Sequence, residues 1–518
     1  MGMNIKDIEI NAQFAAALNL MEEGGRPLFI TGRAGTGKST LLEYFRATTK
    51  RKAVILAPTG VAAVNVSGQT LHSFFGFRPD ITVEKAAAAA KKAVKAGRAG
   101  VYRKMETLVI DEISMVRADL FDCADAFLRT VRGRRAESFG GVHVAMIGDL
   151  YQLPPVVTSH EAGIFSSHYA SPYFFDSHAC RAMEVEIVEL EKIYRQRDDR
   201  FIALLNSIRN NTAGEAEIAA LNERCDPDFD PGDGSYIHLT SLNREADAIN
   251  ERRLDALPGK ARRFAADVSG TFDEKSFPAG SEVILKSGAQ VMLLSNDPLG
   301  RWVNGTIGTV RSVRADSADV KLSGGSIENI GPHTWQMFRF GLDKAGKSIV
   351  SEAVGKFTQI PLALAWAVTI HKAQGKTFDR AVIDIGRVFA CGQTYVALSR
   401  ARSLDGIVLK SRLKKGHVRV DPRVVKFLTS HHYAISEKKM PLADKIRMIE
   451  EAIETGKLLE MSYLKASDVK SARIIEPLEV GEMEYAGRAF PGLRAICRKR
   501  NEERVFRVDR ILEMKILS

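Results

Sequence analysis

Eight consecutive residues, Gly32-Arg33-Ala34-Gly35-Thr36-Gly37-Lys38-Ser39, fit the pattern G-x-x-x-x-G-K-[ST] at every fixed position. Their flanks fit as well. Leu28-Phe29-Ile30 is a short apolar run suited to a buried strand, and Thr40-Leu41-Leu42-Glu43-Tyr44-Phe45 opens a helix. A glycine turn between strand and helix aims backbone N–H groups and a helix N-terminus at phosphate oxygens. Gly35, Thr36, Gly37, Lys38, Ser39 and Thr40 would therefore cradle a nucleoside triphosphate with Mg²⁺. Lys38 would reach the β/γ-phosphates and Ser39 the metal.

Two further groups complete such chemistry. Leu108-Val109-Ile110 runs into Asp111-Glu112. Asp111 would hold the hydration shell of Mg²⁺, and Glu112 would orient and deprotonate the attacking water. His143-Val144-Ala145-Met146-Ile147 leads to Gly148-Asp149-Leu150-Tyr151-Gln152, where Gln152 would sense the γ-phosphate. Upstream, Gln13 is either a surface residue or a reader of the adenine edge. Arg195 and Arg400 have the chemistry of arginine fingers, which neutralise charge on a transferring phosphoryl group.

These residues must be positioned by strands that end at one edge. Apolar strands alternating with helices, each motif at a strand's carboxyl end, predict a parallel α/β lobe over residues 1–184, with a small insert at about 66–104. A second α/β lobe without a phosphate loop is expected over 185–254 and 359–430. It starts at Glu186-Ile187-Val188-Glu189-Leu190 and continues through Ile237, Ala367 and Ala381. On this reading both arginines belong to the second lobe and reach across a cleft. Between its halves, 255–358 alternates short β-rich runs with Gly, Asn and Asp turns, the texture of an inserted β-barrel. Residues 4–23 have helical periodicity through Ile5, Ile8, Phe14 and Met21. Residues 84–98 form a basic, alanine-rich helix, read either as a solvated face or as a phosphate-backbone contact.

The bulk composition agrees with an intracellular, nucleic-acid-facing protein. The chain has 518 residues, 74 basic against 63 acidic, a net charge of +11 and a pI near 9.3, a balance that suits a polyanionic partner. Five scattered cysteines make no C-x-x-C pair, so neither a zinc site nor a disulfide framework is indicated. The first ten residues lack the apolar core of a signal segment, and no stretch approaches a membrane span.

The ordered set of Gln13, Gly32–Ser39, Ala57–Gly60, Thr70–Phe75, Val109–Ser114, Gly148–Pro155, Tyr194–Gln196, Asn304-Gly305 with Gly308, Thr369–Gly375 and Tyr395–Arg400 resembles the superfamily 1B DNA helicases, specifically the Pif branch. The resemblance covers roughly residues 4–430. It implies two RecA-like lobes, ATP hydrolysis, 5′→3′ translocation on single-stranded DNA and unwinding of forked DNA by a monomer. It also implies that the inserted barrel flanks the DNA channel. By motif position, Thr59, Gly60, His72, His371 and Lys372 would face the strand, and Gly375 would add a nucleotide contact. Other readings of the same residues are a translocase that does not unwind and a nucleotide-gated nucleic-acid-binding regulator.

Residues 431–440 read as a polar linker, and 441–518 as a separate β-rich unit close to neutral overall. Its pattern resembles a WYL domain, a bacterial ligand- or nucleic-acid-sensing module, although Pro491-Gly492-Leu493 stands where the naming tripeptide falls and keeps only the Leu. The resemblance implies a basic pocket for a nucleotide or nucleic acid, lined by Arg473, Arg504, Arg507 and Arg510. The alternative is that these arginines pair with Glu476, Glu502, Glu503 and Asp509. A WYL-like fusion without a targeting segment points to a bacterial cytoplasm.

Overall fold

A computed structural model describes residues 8–517 except 158, 197, 233–235, 387, 389 and 486, and excepting the side chains of 159, 160, 162 and 164. The chain divides into two compact units. One runs to Asn206 and resumes over Gly214–Arg419; the other takes Ser207–Ala213 and the chain from Val420.

In the larger unit, helix α1 (Ala12–Glu23) precedes strand β1 (Leu28–Gly32). Asn11 caps the helix by accepting the Phe14 N–H, and Gly24 ends it at φ 70°. The helix thus starts later than residue 4, and Ile5 lies outside the described residues. Its buried face, Phe14, Ala17 and Met21, packs on Leu28 and Ile30 of β1. β2 (Ala53–Ala57), β3 (Gln69–Thr70), β4 (Thr107–Ile110), β5 (His143–Ile147) and β6 (Glu186–Leu190) complete a sheet in the order β3-β2-β4-β5-β1-β6. Every pairing in it is parallel. β1, β4 and β5 are wholly buried, as parallel strands covered on both faces must be.

This sheet corrects the sequence reading at one point. Glu186–Leu190 does not open the second lobe; it pairs with β1 from Leu28↔Glu186 to Gly32↔Leu190 and closes the edge of the first sheet. An isolated apolar strand carries no mark of the sheet it will join. Only the open edge of β1 decides.

The second sheet comprises β7 (Ile237–Thr240), β8 (Ala367–Thr369), β9 (Ala381–Ile383) and β10 (Ile407–Leu409), all parallel, in the order β8-β7-β9-β10. Helix Gln393–Leu398 lies between β9 and β10 in the chain and is buried throughout. The expected β-rich insert separates β7 from β8. Five strands, Ile327–Ile330, Ala318–Leu322, Ile307–Val313, Gln290–Leu293 and Leu362–Leu364, form its main sheet around Val291, Leu293, Val310, Val320 and Trp302. Because Leu362–Leu364 pairs with Gln290–Leu293, the insert continues past residue 358. A long hairpin, His333–Leu342 with Ile349–Gln359, was not legible in the sequence. It reaches the first lobe, where the Phe340 N–H donates to Gln69 Oε1 at 2.9 Å and its ring meets Phe74 edge-on at 6.2 Å. The basic helix is observed over Val83–Lys95, with Ala86 and Ala90 buried and Lys91, Lys92 and Lys95 exposed.

In the smaller unit, helix Pro422–Lys439 runs straight through the stretch expected to be a linker. The polar residues that suggested a linker are satisfied within the unit. Tyr433 Oη donates to the Leu464 carbonyl at 3.0 Å, and Ser436 Oγ reaches the carbonyls of Ile511 and Leu512 at 2.8 Å. The buried Lys445 ammonium donates to Ser436 Oγ at 2.9 Å. Helix Leu442–Glu454 follows, then a five-stranded antiparallel sheet whose order places Glu502–Arg507 and Ile511–Ile516 at its edges. Ile449, Leu459, Ile475, Leu493 and Phe506 share its core.

Candidate nucleotide site

The order of the first sheet makes the site. β4 and β1 are the two neighbours of β5, so the loops leaving β1, β4 and β5 emerge side by side at one carboxyl edge. The loop after β1 needs left-handed backbone at Gly35 (φ 83°) and Gly37 (φ 89°), which glycine adopts without strain. At Gly35 there is a second reason, since a Cβ there would collide with Arg195. Lys38 Nζ donates to the carbonyls of Gly32 at 2.7 Å and Arg33 at 2.9 Å. Thr36 is buried, its hydroxyl on the Arg33 carbonyl. Ser39 stands exposed in the first turn of helix Lys38–Thr48, with Thr40 next to it.

Asp111 and Glu112 follow β4. Burial and the neighbouring Glu112 push the Asp111 carboxyl up to about 7. Burial also raises Glu112, opposed by Lys38 and Arg400. Glu112 holds left-handed backbone at φ 48°, a rare state for a side chain of its kind. After β5, Asp149 is buried and accepts from Gln152 Nε2 at 3.1 Å, which fixes the Gln152 amide.

The segment after β6 clamps the loop to the second lobe. The Tyr194 N–H donates to the Gly35 carbonyl at 2.8 Å. Arg195 donates to the carbonyls of Ser399 at 3.3 Å and Gly375 at 3.4 Å. Gln196, buried, donates to the carbonyls of Ser399 and Ala401. Arg195 thus issues from the first lobe and reaches into the second, the reverse of the sequence reading. Arg400 does come from the second lobe. It is 1% exposed, with its Nε on the Val396 carbonyl at 2.8 Å and Nη2 on Ser399 Oγ at 2.8 Å. Burial, and Arg195 beside it, bring its guanidinium down to about 9. Among the described residues neither arginine meets a carboxylate at salt-bridge distance.

Three side chains inside the quoted motifs were not singled out as site residues. Gln374 Nε2 lies 3.2 Å from Glu112 Oε2 and 3.3 Å from Gln152 Oε1. Tyr395 Oη accepts the Ala34 N–H at 3.0 Å. Tyr194, 43% exposed, has its ring against Gly37 and its hydroxyl 3.3 Å from Asn11 Nδ2. A motif read along the chain does not say which of its residues crosses to another element, and this is why they escaped notice. Gln13 is present nearby, but its amide is engaged in both directions with Glu191, donating at 2.9 Å and accepting at 3.4 Å.

The residues fit ATP with Mg²⁺. A carboxyl raised by burial and by a second carboxyl is relieved by a cation, and Ser39 directly, with Asp111 through water, would hold Mg²⁺ while phosphates and water fill its other positions. Among the described residues no cluster of three metal-ligating side chains competes with that assignment.

Comparison with known proteins decides the family. Residues 9–217 match the model of the PIF1-like helicases, and 444–516 that of the WYL domain. The ATP-dependent DNA helicase Pif1 of Bdellovibrio bacteriovorus is 33% identical over 82% of this chain and 93% of its own. The chain belongs to the PIF1-like helicase family. The ATP-dependent DNA helicase PIF1 of Homo sapiens is 36% identical over 81% of this chain, but only 63% of the human protein is spanned. The crystal structure of Bacteroides sp Pif1 in complex with ADP-AlF4 aligns at 36% identity and TM-score 0.76, covering 82% of this chain and 97% of that one. Bacteroides Pif1 bound to ssDNA, and a structure of DNA unwinding at forked dsDNA by two coordinating Pif1 helicases, each match with TM-score 0.57.

Within this PIF1-like chain the remaining expected residues are also placed at carboxyl edges. Thr59 and Gly60 follow β2, His72 follows β3, and His371 and Lys372 follow β8. Thr59 is exposed and caps the helix that Gly60 opens, while a Cβ at Gly60 would run into Ser276 of the insert. His72 is half-buried, and burial lowers its pKa. His371 and Lys372 are exposed. Among the described residues no helix is long and apolar enough to cross a membrane.

In the WYL unit the four arginines divide. Arg507 is held bidentately by Asp509, at 2.6 and 3.0 Å, over the Phe490 ring. Arg504 Nη2 meets Glu502 at 2.9 Å, yet its Nε is buried without a partner. Arg473 has a buried, unpartnered Nε and only Cys497 Sγ at 4.0 Å. Arg510 stands near Tyr433. Glu476 pairs with Arg498, and Glu503 with Arg494. The pairing alternative therefore describes Arg504 and Arg507 and leaves Arg473 available.

Proposed function

We propose that this chain is an ATP-dependent DNA helicase that moves 5′→3′ along single-stranded DNA and opens forked duplexes. The observation that carries the reading is the convergence of Lys38, Glu112 and Gln152 of the first lobe with Arg400 and Gln374 of the second. A site completed only by both lobes couples nucleotide turnover to their relative movement.

In this reading Lys38 leaves the Gly32 and Arg33 carbonyls for the β/γ-phosphates. Bound Mg²⁺ would offset charge on those phosphates, held by Ser39 and, through water, by Asp111. Glu112 takes the proton of the attacking water, and Gln152, fixed by Asp149, reports the γ-phosphate. Arg195 and Arg400 neutralise the charge that develops there. Gln13 and the exposed face of Tyr194 receive the base, with Gly375 at the margin of the site. Thr59, Gly60, His72, His371 and Lys372 hold the strand through hydroxyl, backbone and cationic contacts to phosphate. In the WYL unit Arg473 and Arg504 are the best-placed groups for a nucleotide or nucleic-acid ligand. We place the chain in a bacterial cytoplasm, a reading the Pif1 relative of Bdellovibrio bacteriovorus supports, and take it to act as a monomer.

Forked duplexes with a 5′ or a 3′ tail, scored for strand separation beside ATP hydrolysis with and without single-stranded DNA, test this. A helicase of the proposed polarity separates the 5′-tailed fork alone. Stimulated hydrolysis without separation leaves a translocase, and unstimulated hydrolysis leaves a nucleotide-gated regulator. Lys38→Ala removes nucleotide binding and turnover together. Glu112→Gln keeps binding and loses about a hundredfold or more in kcat.

A further inference from the structure

The Gln374 amide occupies the corner where catalysis needs a water. An attacking water must lie within about 2.6–3.2 Å of the base that deprotonates it. Gln374 Nε2 is 3.2 Å from Glu112 Oε2 and 3.3 Å from Gln152 Oε1. Both N–H groups of this one amide are thereby committed to the two first-lobe groups assigned to the water and the γ-phosphate. The Gln152 amide is in turn anchored on Asp149.

Gln374 is also bound to the DNA-facing residues by backbone. The Ala373 N–H donates to Thr369 at 2.9 Å, Gln374 to His371 at 3.1 Å and Lys376 to Ala373 at 3.0 Å. Residues 369–376 are therefore one wound turn, with the exposed His371 and Lys372 on it and left-handed Gly375 (φ 78°) inside it. The Gly375 carbonyl accepts from Arg195. His371 and Lys372 are thus joined to Gln374 through the backbone hydrogen bonds of this turn.

We propose that Gln374 is a positioning residue that restrains hydrolysis until a strand is bound. Without DNA its amide sits on Glu112 and Gln152 and keeps the attacking water out. When His371 and Lys372 take up strand phosphates, the turn shifts, the amide leaves Glu112, and water enters between base and sensor. This inference rests on the helicase reading above and adds the route by which DNA stimulates turnover.

The test is steady-state hydrolysis, with and without saturating single-stranded DNA, by the full chain and its Gln374→Ala and Gln374→Glu variants. The Glu replacement keeps the shape and is repelled by Glu112, so it decides the matter if the Ala variant does not fold. Both variants should raise DNA-free kcat about tenfold, leave the DNA-saturated kcat within about threefold, and leave KM for ATP within about twofold, so the stimulation ratio collapses. Gln374→Asn, which keeps the amide one methylene shorter, should fall between them and the parent. Loss of both rates in proportion, loss of the stimulated rate alone, or no change in either would overturn the proposal. Hydrolysis that survives Glu112→Gln would instead defeat the assignment of the base, whatever the Gln374 variants do.

Discussion

Tyr395 Oη accepts the N–H of Ala34 at 3.0 Å, so a helix of the second lobe holds the phosphate loop of the first by its backbone. Ala34 is 6% exposed, and a buried N–H that loses its acceptor costs about 1–3 kcal/mol. Tyr395→Phe removes this acceptor, and with it the hydroxyl's electrostatic contact with Arg195 and Arg400. Its kcat/KM for ATP should fall about tenfold, with the loss mainly in KM, as measured by steady-state hydrolysis at saturating single-stranded DNA.

Arg195 and Arg400 lie together with no carboxylate at salt-bridge distance among the described residues, an arrangement expected to cost stability until an anion arrives. Arg400→Met should therefore leave the melting temperature of the nucleotide-free chain unchanged or raised. The same variant, and Arg195→Lys, should lose about a thousandfold in kcat. Scanning calorimetry and single-turnover hydrolysis read the two halves of this prediction. A large fall in melting temperature would assign Arg400 a structural role instead.

His143 in β5 and His238 in β7 are both pushed down to about 4, chiefly by burial. His431 in the smaller unit behaves alike. Their ordinary value is 6.5, so between about pH 6.5 and 4 the unfolded chain binds more protons than the folded one. Stability then rises with pH across that window and is lost as pH falls through it. Thermal melts from pH 7 to 4.5 should show this slope, and His143→Gln with His238→Gln should flatten it by about 1–3 kcal/mol per histidine.

Arg473 and Arg504 each bury an Nε without a partner. In a Lys38→Ala background, where the motor no longer binds nucleotide, a nucleoside triphosphate should raise the melting temperature of the chain. Adding Arg473→Leu and Arg504→Leu should abolish that shift without lowering the melting temperature in the absence of ligand. An unchanged shift would place the ligand elsewhere.

Much of this protein is written in its sequence. The loop Gly32–Ser39, the carboxylates Asp111-Glu112 and the residues Gln152, Arg195 and Arg400 are legible because their chemistry is local: a glycine that must turn, or a carboxylate at the end of an apolar strand. The two lobes and the β-rich insert are legible for the same reason, since apolar periodicity is set residue by residue. What the chain does with distance is not. The sheet that Glu186–Leu190 joins depends on the free edge of β1, so the lobe that supplies Arg195 could not be read from its motif. The stretch 431–440 reads as a linker because its residues are polar, yet the carbonyls of Leu464, Ile511 and Leu512 satisfy those polar groups and keep it helical. Gln374 and Tyr395 look like their neighbours in the chain. Only the packing of one lobe against the other brings their side chains onto Glu112, Gln152 and Ala34, because hydrogen bonds between residues more than two hundred positions apart are decided by tertiary geometry.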